Sequence, residues 1–190
     1  MEIHQLATII FKQMKQFIAI VLAVAALSFR LLPHPANFAP IGALAIFLGA
    51  RLPRKQSIPI VLGAMFVSDM MIGLYDWRLM SVVYGSFALM VLLGSWVGTN
   101  FKWSKFAFGT AAGSVLFYAA TNFAVWVLSP WYPHTIAGLV SCYVAAIPFF
   151  RNTILSDMTF GAAFFGAYEF ARNMKKSWNP SPLVADSRAL

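Results

Sequence analysis

Three polar side chains interrupt long apolar stretches of this sequence, and they are its clearest candidates for chemistry. Asp69 and Asp157 carry carboxylates that could orient a polar ligand or move a proton, and Asn122 carries an amide that donates and accepts hydrogen bonds. Such groups are costly in hydrocarbon, so each is a candidate functional residue. The structural alternatives are ion pairs with Arg30 or Arg151 for the carboxylates and an interhelical hydrogen bond for the amide.

A second group of polar and aromatic residues falls in the connections next to these stretches. It supplies charges, imidazoles, amides and rings that could orient and cover a small compound. The candidate substrate-binding residues are therefore Arg30, His34, Asn37, Asp69, Asn122, Trp126, Tyr132, His134, Arg151, Asn152 and Asp157, with the loop 129–134 and the following segment 135–149 as a lid. For any single tryptophan an interfacial aromatic belt is the simpler interpretation. His34, between two prolines, is more typical of a helix-end loop than of a metal ligand.

The elements that must position these residues are apolar helices. The chain has 190 residues, 60% of them hydrophobic and 11% charged, whereas soluble domains are about 45–50% apolar and about 25% charged. A helix of about 20 apolar residues crosses the hydrocarbon core of a membrane. Seven apolar runs are visible, at residues 17–32, 38–50, 55–75, 79–99, 105–128, 135–149 and 153–172.

The basic residues decide how many runs cross. The net charge is +8, from 14 Lys plus Arg and 6 Asp plus Glu. If residues 135–149 do not cross, 11 basic residues lie on one side and 3 on the other, whereas seven crossings give 7 on each side. The positive-inside rule therefore predicts six transmembrane helices, with both termini cytoplasmic and residues 135–149 as an external re-entrant or surface helix.

The predicted protein is thus an all-α, polytopic protein of the bacterial inner membrane, with three parts. Residues 1–16 form an interfacial amphipathic segment or an extension of the first span, residues 17–173 the six-helix domain, and residues 174–190 a flexible cytoplasmic tail. In this topology Asp69, Asn122 and Asp157 lie about 6–8 Å above the midplane. Their shared depth predicts a pocket that opens outward.

Signatures of enzyme chemistry are missing from the sequence. It contains no G-x-S-x-G, no H-E-x-x-H and no Gly-rich loop followed by Lys and Ser or Thr. The three histidines fall on both sides of the predicted membrane, and the one cysteine, Cys142, excludes an internal disulfide. We therefore expect no metal, no cofactor and no enzymatic activity. The role of Cys142 does not follow from the sequence.

Several short motifs make the chain similar to a known family. They are His34-Pro35-Ala36-Asn37-Phe38-Ala39-Pro40-Ile41-Gly42-Ala43, Ser68-Asp69, Thr121-Asn122-Phe123 with Trp126, Tyr132-Pro133, and Pro148-Phe149-Phe150-Arg151-Asn152. Through them, residues 17–172 resemble a bacterial integral membrane family of unknown function. That family in turn resembles the substrate-binding S-components of energy-coupling factor (ECF) transporters.

The resemblance implies a six-helix vitamin-uptake protein with an external pocket. Many S-components act with a membrane coupling subunit and the ATPases of an ECF module. Their first helix often presents Ala-x-x-x-Ala, which makes Ala19 and Ala23 a candidate coupling interface, with close packing inside the bundle as the alternative. The pocket signatures of the characterised vitamin families are missing here, so the resemblance does not name the substrate.

The predicted function is therefore uptake of a small vitamin-like or aromatic compound that binds in the outward-facing pocket. The expected partners are the lipid bilayer, the solute, and a coupling subunit with its ATPases, but no nucleic acid. Two alternatives stay open. One is a membrane-embedded enzyme that acts on a lipid-linked substrate with Asp69 or Asp157 as general base, and the other is an assembly subunit of a larger membrane complex.

Overall fold

The described part of the chain is entirely helical apart from its connections. The computed structural model describes the backbone of residues 2–178 and the side chains of residues 13 and 16–173. Its helices are α1 (Glu2–Leu31), α2 (Ile41–Arg51), α3 (Arg54–Ile72), α4 (Trp77–Gly98), α5 (Trp103–Leu128) and α6 (Ile136–Trp178). The all-α class is confirmed.

Membrane crossing is supported for three helices rather than six. The helix α4, the helix α5 and the part of α6 from Ile136 to Asn173 are long and apolar enough to cross a bilayer. By contrast, α2 has 11 residues and is about 16 Å long, roughly half of the hydrocarbon thickness of about 30 Å. The predicted span at residues 38–50 is therefore a half-length helix.

The predicted external helix at residues 135–149 is wrong as a separate element. It is the first part of α6, which has 43 residues and is about 65 Å long at about 1.5 Å per residue. In the sequence, Pro148 and the polar pair that follows it, Arg151 and Asn152, indicated an interruption of the helix. The helix nevertheless continues through Pro148, because neighbouring helices can compensate for the one backbone hydrogen bond that a proline removes.

The antiparallel neighbour of α6 is α5. Ser114 of α5 donates a hydrogen bond to Asp157, and nearer the other end Tyr118 donates to the carbonyl of Tyr143 at 2.6 Å. Contacts of this kind connect α5 to both predicted segments of α6, and they explain why the two segments form one helix.

The short helix α2 is the centre of the bundle. All residues from Ile41 to Gly49 are buried, and α2 contacts each of the other five helices. A helix that is apolar on every face requires such an environment. The surrounding helices therefore cover α2 on all sides.

Glycines allow α2 and α4 to pack very closely. Gly94 and Gly98 of α4 and Gly49 of α2 each lie against a backbone carbonyl of the facing helix, where a Cβ atom would overlap it. Gly94 and Gly98 have the G-x-x-x-G spacing that lets membrane helices approach with their backbones. Because Gly94 meets Ile46 and Gly98 meets Ala50, the two helices run in parallel.

The two ends of the bundle differ in character. At the end where α2 finishes, Arg51 binds Glu169 at 2.6 Å, and its guanidinium lies over the ring of Tyr168 at 4.3 Å. Glu169 also binds Arg172 at 3.2 Å. We call this the basic end, because Arg54, Lys55, Lys102 and Lys105 flank the same helix termini.

The helix α1 continues without a break through residue 16, and the predicted division of the chain into three parts stays a prediction. The side chains that would show an amphipathic face in residues 1–12 lie outside the described residues, as do residues 179–190 of the predicted tail. Ala19 and Ala23 are 1% and 8% exposed. The two alanines thus lie in the bundle core, and their role as a coupling interface stays a prediction.

Candidate functional site

The connection between α1 and α2, residues 32–40, forms one wall of the site. Pro33, Pro35 and Pro40 prevent a regular helix here. Asn37 adopts a left-handed backbone conformation with φ of 59°, which asparagine tolerates better than most residues, and the amide of Phe38 closes the turn on the carbonyl of Pro35 at 2.9 Å. The first part of this connection is exposed, and the chain becomes buried only at Pro40, where α2 begins.

A cavity of about 500 Å³, which we call the main cavity, lies at the N-terminus of α2. All six helices and the connection 32–40 contribute to it. Its polar side is formed by Arg30, His34, Asn37, Thr153 and Asp157, and its apolar side includes Met65, Ile72, Val83, Phe87, Met90 and Phe117. A smaller side cavity of about 200 Å³ shares Asn37, Val83, Phe117 and Thr153 with it and adds Asn122.

Asp157 provides the missing cap of α2. It is 1% exposed, and its carboxylate accepts hydrogen bonds from the hydroxyl of Ser114 at 2.9 Å and from the backbone amide of Ala43. Pro40, at the N-cap, makes no side-chain cap, so the carboxylate of α6 takes this role and meets the positive end of the helix dipole. Gly42 leaves room for it, because a Cβ atom there would overlap the carboxylate.

Arg30 and Asp69 form a buried ion pair beside the main cavity. Their Nη2 and Oδ1 atoms are 2.6 Å apart, and the two side chains are 20% and 2% exposed. Arg30 also donates to the hydroxyl of Ser68 at 2.5 Å, and Tyr84 donates to Oδ2 of Asp69 at 2.7 Å. The pair therefore connects α1, α3 and α4, and only Arg30 itself lines the cavity.

Two titratable residues, Tyr75 and Asp76, lie in the connection between α3 and α4, and Tyr75 interacts with this ion pair. Burial, with a smaller effect of the charge of Asp69, raises the pKa of Tyr75 to about 12, which keeps the phenol neutral at physiological pH. Hydrogen bonds from Arg78 lower the pKa of Asp76 to about 2. The ionised Asp76 accepts the backbone amide of Arg78 at 2.8 Å and so caps α4.

His34 and Asn152 fix the connection 32–40 in place. The two ring nitrogens of His34 lie 2.8 Å from the carbonyl of Pro35 and 3.2 Å from that of Arg30. The amide of Asn152 donates to the carbonyl of Ala36 at 3.0 Å. His34 is thus a helix-end residue, as its prolines suggested, and it also lines the main cavity.

Asn122 lies in the side cavity but bonds within its own helix. Its Nδ2 donates to the carbonyl of Tyr118 at 2.8 Å, and the thiol of Cys142 contacts the backbone carbonyl of Asn122 at 3.5 Å. Cys142 is buried. The amide oxygen of Asn122 and its second N–H are the groups that can serve a ligand from this wall.

Six predicted site residues line neither cavity: Asp69, Trp126, Tyr132, His134, Arg151 and Asn152. The indole of Trp126 donates to the carbonyl of Pro133 at 3.0 Å and meets the ring of His134 at 5.6 Å. These contacts attach residues 129–135 to the end of α5. The predicted lid therefore does not cover the main cavity in this structure.

The apolar walls of the cavities were not among the predicted residues. Among them are Val83, Phe87 and Phe117, which line the main cavity. Ser114, which donates a hydrogen bond to Asp157, was not predicted either. Hydropathy marks all of these helices as apolar without distinguishing the face toward a cavity from the face toward lipid. Ser114 could have been predicted from the sequence, because a hydroxyl in an apolar helix often forms a hydrogen bond to a polar group of a neighbouring helix.

These observations define a class, namely all-helical proteins with apolar, potentially membrane-crossing helices and an internal cavity with polar walls. Among the described residues, no group of three or more His, Cys, Asp and Glu could hold a metal ion. A protein-family model, described as a family of unknown function (DUF6580), matches residues 11–180, and the chain belongs to this family. No curated protein and no solved structure matches it. The further resemblance to S-components stays a prediction.

Proposed function

We propose that this protein binds a small solute in the main cavity and takes part in the uptake of that solute across a membrane. The observation that carries the proposal is the cavity of about 500 Å³ at the N-terminus of α2, to which all six helices contribute. Ligand sites have volumes of about 300–1,000 Å³ and combine apolar walls with a few polar groups. The main cavity has both properties.

The half-length helix supports a transport role. In transporters, solute sites lie near the middle of the membrane, where helices are interrupted and their ends face the solute. Here α2 begins at Ile41, beside the buried Asp157 of α6, and ends at Arg51 on the basic end. With the basic end in the cytoplasm, the cavity is accessible from the outside through the connection 32–40.

The walls favour a small compound with an apolar or aromatic body. Phe87 and Phe117, whose ring centroids are 5.1 Å apart, stand with Met65 and Met90 on the apolar side. Asn37 lies where the two cavities meet and could orient a polar group of the solute. A vitamin-like or aromatic compound fits these surfaces.

An S-component-like mode of action is the finer part of the proposal. The sequence carries no Walker-type nucleotide-binding loop, so a coupling subunit with ATPases would supply the energy for accumulation. Since Ala19 and Ala23 are buried, such a subunit would contact the exposed face of α1, which carries Phe17, Ile20 and Val24.

The test is a cavity-filling variant with a matched control. Val83→Phe adds a ring where the two cavities meet, while Val115→Phe makes the same change at a side chain that is 50% exposed. The protein is purified in mild detergent, and native mass spectrometry detects co-purified compounds. Binding at a hundredfold excess over Kd stabilises a protein by about 2.7 kcal/mol, which a thermal unfolding scan resolves.

The wild type and Val115→Phe should retain a bound compound, and Val83→Phe should lose it. A compound that Val83→Phe binds as well as the wild type would place the binding site elsewhere. A wild type that carries no compound, and that no candidate vitamin or amine stabilises, would contradict the proposal.

A further inference from the structure

We infer that the solute of the main cavity carries a positively charged amine, and that Asp157 is its counter-ion. The inference rests on the proposed solute-binding function and adds the chemical class of the solute. Its basis is an imbalance between the charges around the cavity, together with the directions in which the neighbouring side-chain donors point.

The charge of Arg30 is already neutralised within the protein. Its guanidinium binds Asp69 at 2.6 Å and donates to Ser68. An anionic solute would have to compete with Asp69 for this group. Arg30 therefore acts as part of a neutral pair beside the cavity.

Asp157 has no such partner. The ion pairs found among the described side chains are Arg30 with Asp69, Arg51 and Arg172 with Glu169, and Arg78 with Asp76. The predicted pairing of Asp157 with Arg30 or Arg151 does not occur there. The N-terminus of α2 offers about +0.5 of an elementary charge, which offsets only part of a full carboxylate charge. An ionised Asp157 therefore needs a cation to balance it, and a solute in the main cavity can supply that cation.

The hydroxyl and imidazole groups nearest to Asp157 already have hydrogen-bond partners within the protein. The hydroxyl of Ser114 is used by Asp157 itself, the hydroxyl of Thr153 donates to the carbonyl of Phe149 at 3.0 Å, and both nitrogens of His34 face backbone carbonyls. An ionised carboxylate has about four acceptor positions, of which Ser114 and the amide of Ala43 occupy two. The wall around Asp157 can therefore accept hydrogen bonds from an ammonium group.

The aromatic side of the cavity suits the same ligand. Phe87 and Phe117 line it, and aromatic faces attract cations as well as apolar groups. An amine with a short apolar or aromatic body would place its charge at Asp157 and its body against these rings. A carboxylate of the same shape would meet the charge of Asp157 instead.

The experiment compares three probes of similar shape and different charge: phenethylammonium, phenylpropionate and phenylpropionamide. Binding to the full-length wild type in detergent is measured by saturation-transfer NMR and isothermal titration, with Val83→Phe as the control for the site. Phenethylammonium should bind at least tenfold more tightly than phenylpropionate. This comparison uses only the wild type, so it does not depend on the folding of a charge variant.

A pair of variants then assigns the preference to one group. Asp157→Asn keeps an acceptor for the N-terminus of α2 and removes the charge. The variant should therefore bind phenethylammonium at least tenfold more weakly than the wild type does, while its affinity for phenylpropionamide should change little. Ser114→Ala removes a neighbouring hydroxyl but no charge, and it should retain the preference for the ammonium probe.

Three outcomes would overturn the inference. Phenylpropionate or phenylpropionamide could bind the wild type but not Val83→Phe, while phenethylammonium does not bind. The solute class would then be wrong, and the solute-binding function would stand. An unchanged ammonium affinity in Asp157→Asn would remove Asp157 as the counter-ion. If no probe binds and no compound co-purifies, the inference and the proposed function are both wrong.

Discussion

The close packing of α2 on α4 gives a sharp prediction about stability. Gly94 of α4 has the backbone of Ile46 directly against it, so that a Cβ atom would overlap the Ile46 carbonyl oxygen. Gly85 lies on the same helix and has no atom within 4 Å of the position that a Cβ would take. Gly94→Ala and Gly85→Ala are thus the same chemical change in opposite environments.

The expected magnitudes follow from two opposing effects. Replacing glycine by alanine inside a helix is favourable by about 0.5–1 kcal/mol, and at Gly85 nothing opposes this gain. At Gly94 the added methyl group must push two backbones apart, and overpacking of this kind costs about 1–3 kcal/mol. A carbonyl cannot rotate away as a side chain can. Gly94→Ala should therefore lose about 1–2 kcal/mol, while Gly85→Ala gains up to about 1 kcal/mol.

Reversible unfolding in mixed micelles, followed by tryptophan fluorescence, measures both values. The double variant should show the sum of the two effects, because the residues are distant and share no partner. Equal stabilities of Gly94→Ala and the wild type would show that α2 and α4 can separate without cost. The parallel α2–α4 contact would then not be the close backbone packing described above.

Two further predictions concern charged groups. Removing one partner of the Arg30–Asp69 pair, by Arg30→Met or Asp69→Leu, should cost about 3–5 kcal/mol because the other charge stays buried. The double variant should recover most of that loss, and additive losses in the same unfolding assay would contradict the pairing. At the end of α4, the depressed pKa of Asp76 means that its cap stabilises the fold above the ordinary pKa of a carboxyl group and is lost as pH falls through about 2. Carboxyl NMR should show a midpoint near this value in the wild type and a higher one in Arg78→Ala; equal midpoints would refute the role of Arg78.

The sequence predicted the helical class because hydrophobic composition is a property of whole segments. It did not predict the course of α6, because Pro148 and the polar residues after it have the same appearance in a loop and in a helix supported by its neighbours. The hydroxyl of Tyr118, which bonds α6 from α5, is such a support, and a contact between distant parts of the chain cannot be inferred from local spacing.

The sequence predicted those residues of the candidate site whose charged side chains are costly to bury. Asp69 and Asp157 stood out as carboxylates within apolar runs, and both are nearly inaccessible. Depth along a helix, however, does not determine the distance from the axis of the bundle. Trp126 and His134 were predicted to contact a solute, yet their rings contact each other and neither residue lines a cavity.

The length of α2 connects these observations. A helix of 11 residues cannot cross a hydrocarbon layer of about 30 Å, so its first turn lies inside the bundle with backbone amides that have no carbonyl four residues earlier. In a membrane such amides require protein acceptors, water or a ligand. Asp157 satisfies the amide of Ala43, and Ile41 and Gly42 line the main cavity. The main cavity therefore lies where a half-length helix places backbone amides inside the bundle, and water or a polar group of a solute is a suitable partner for such amides.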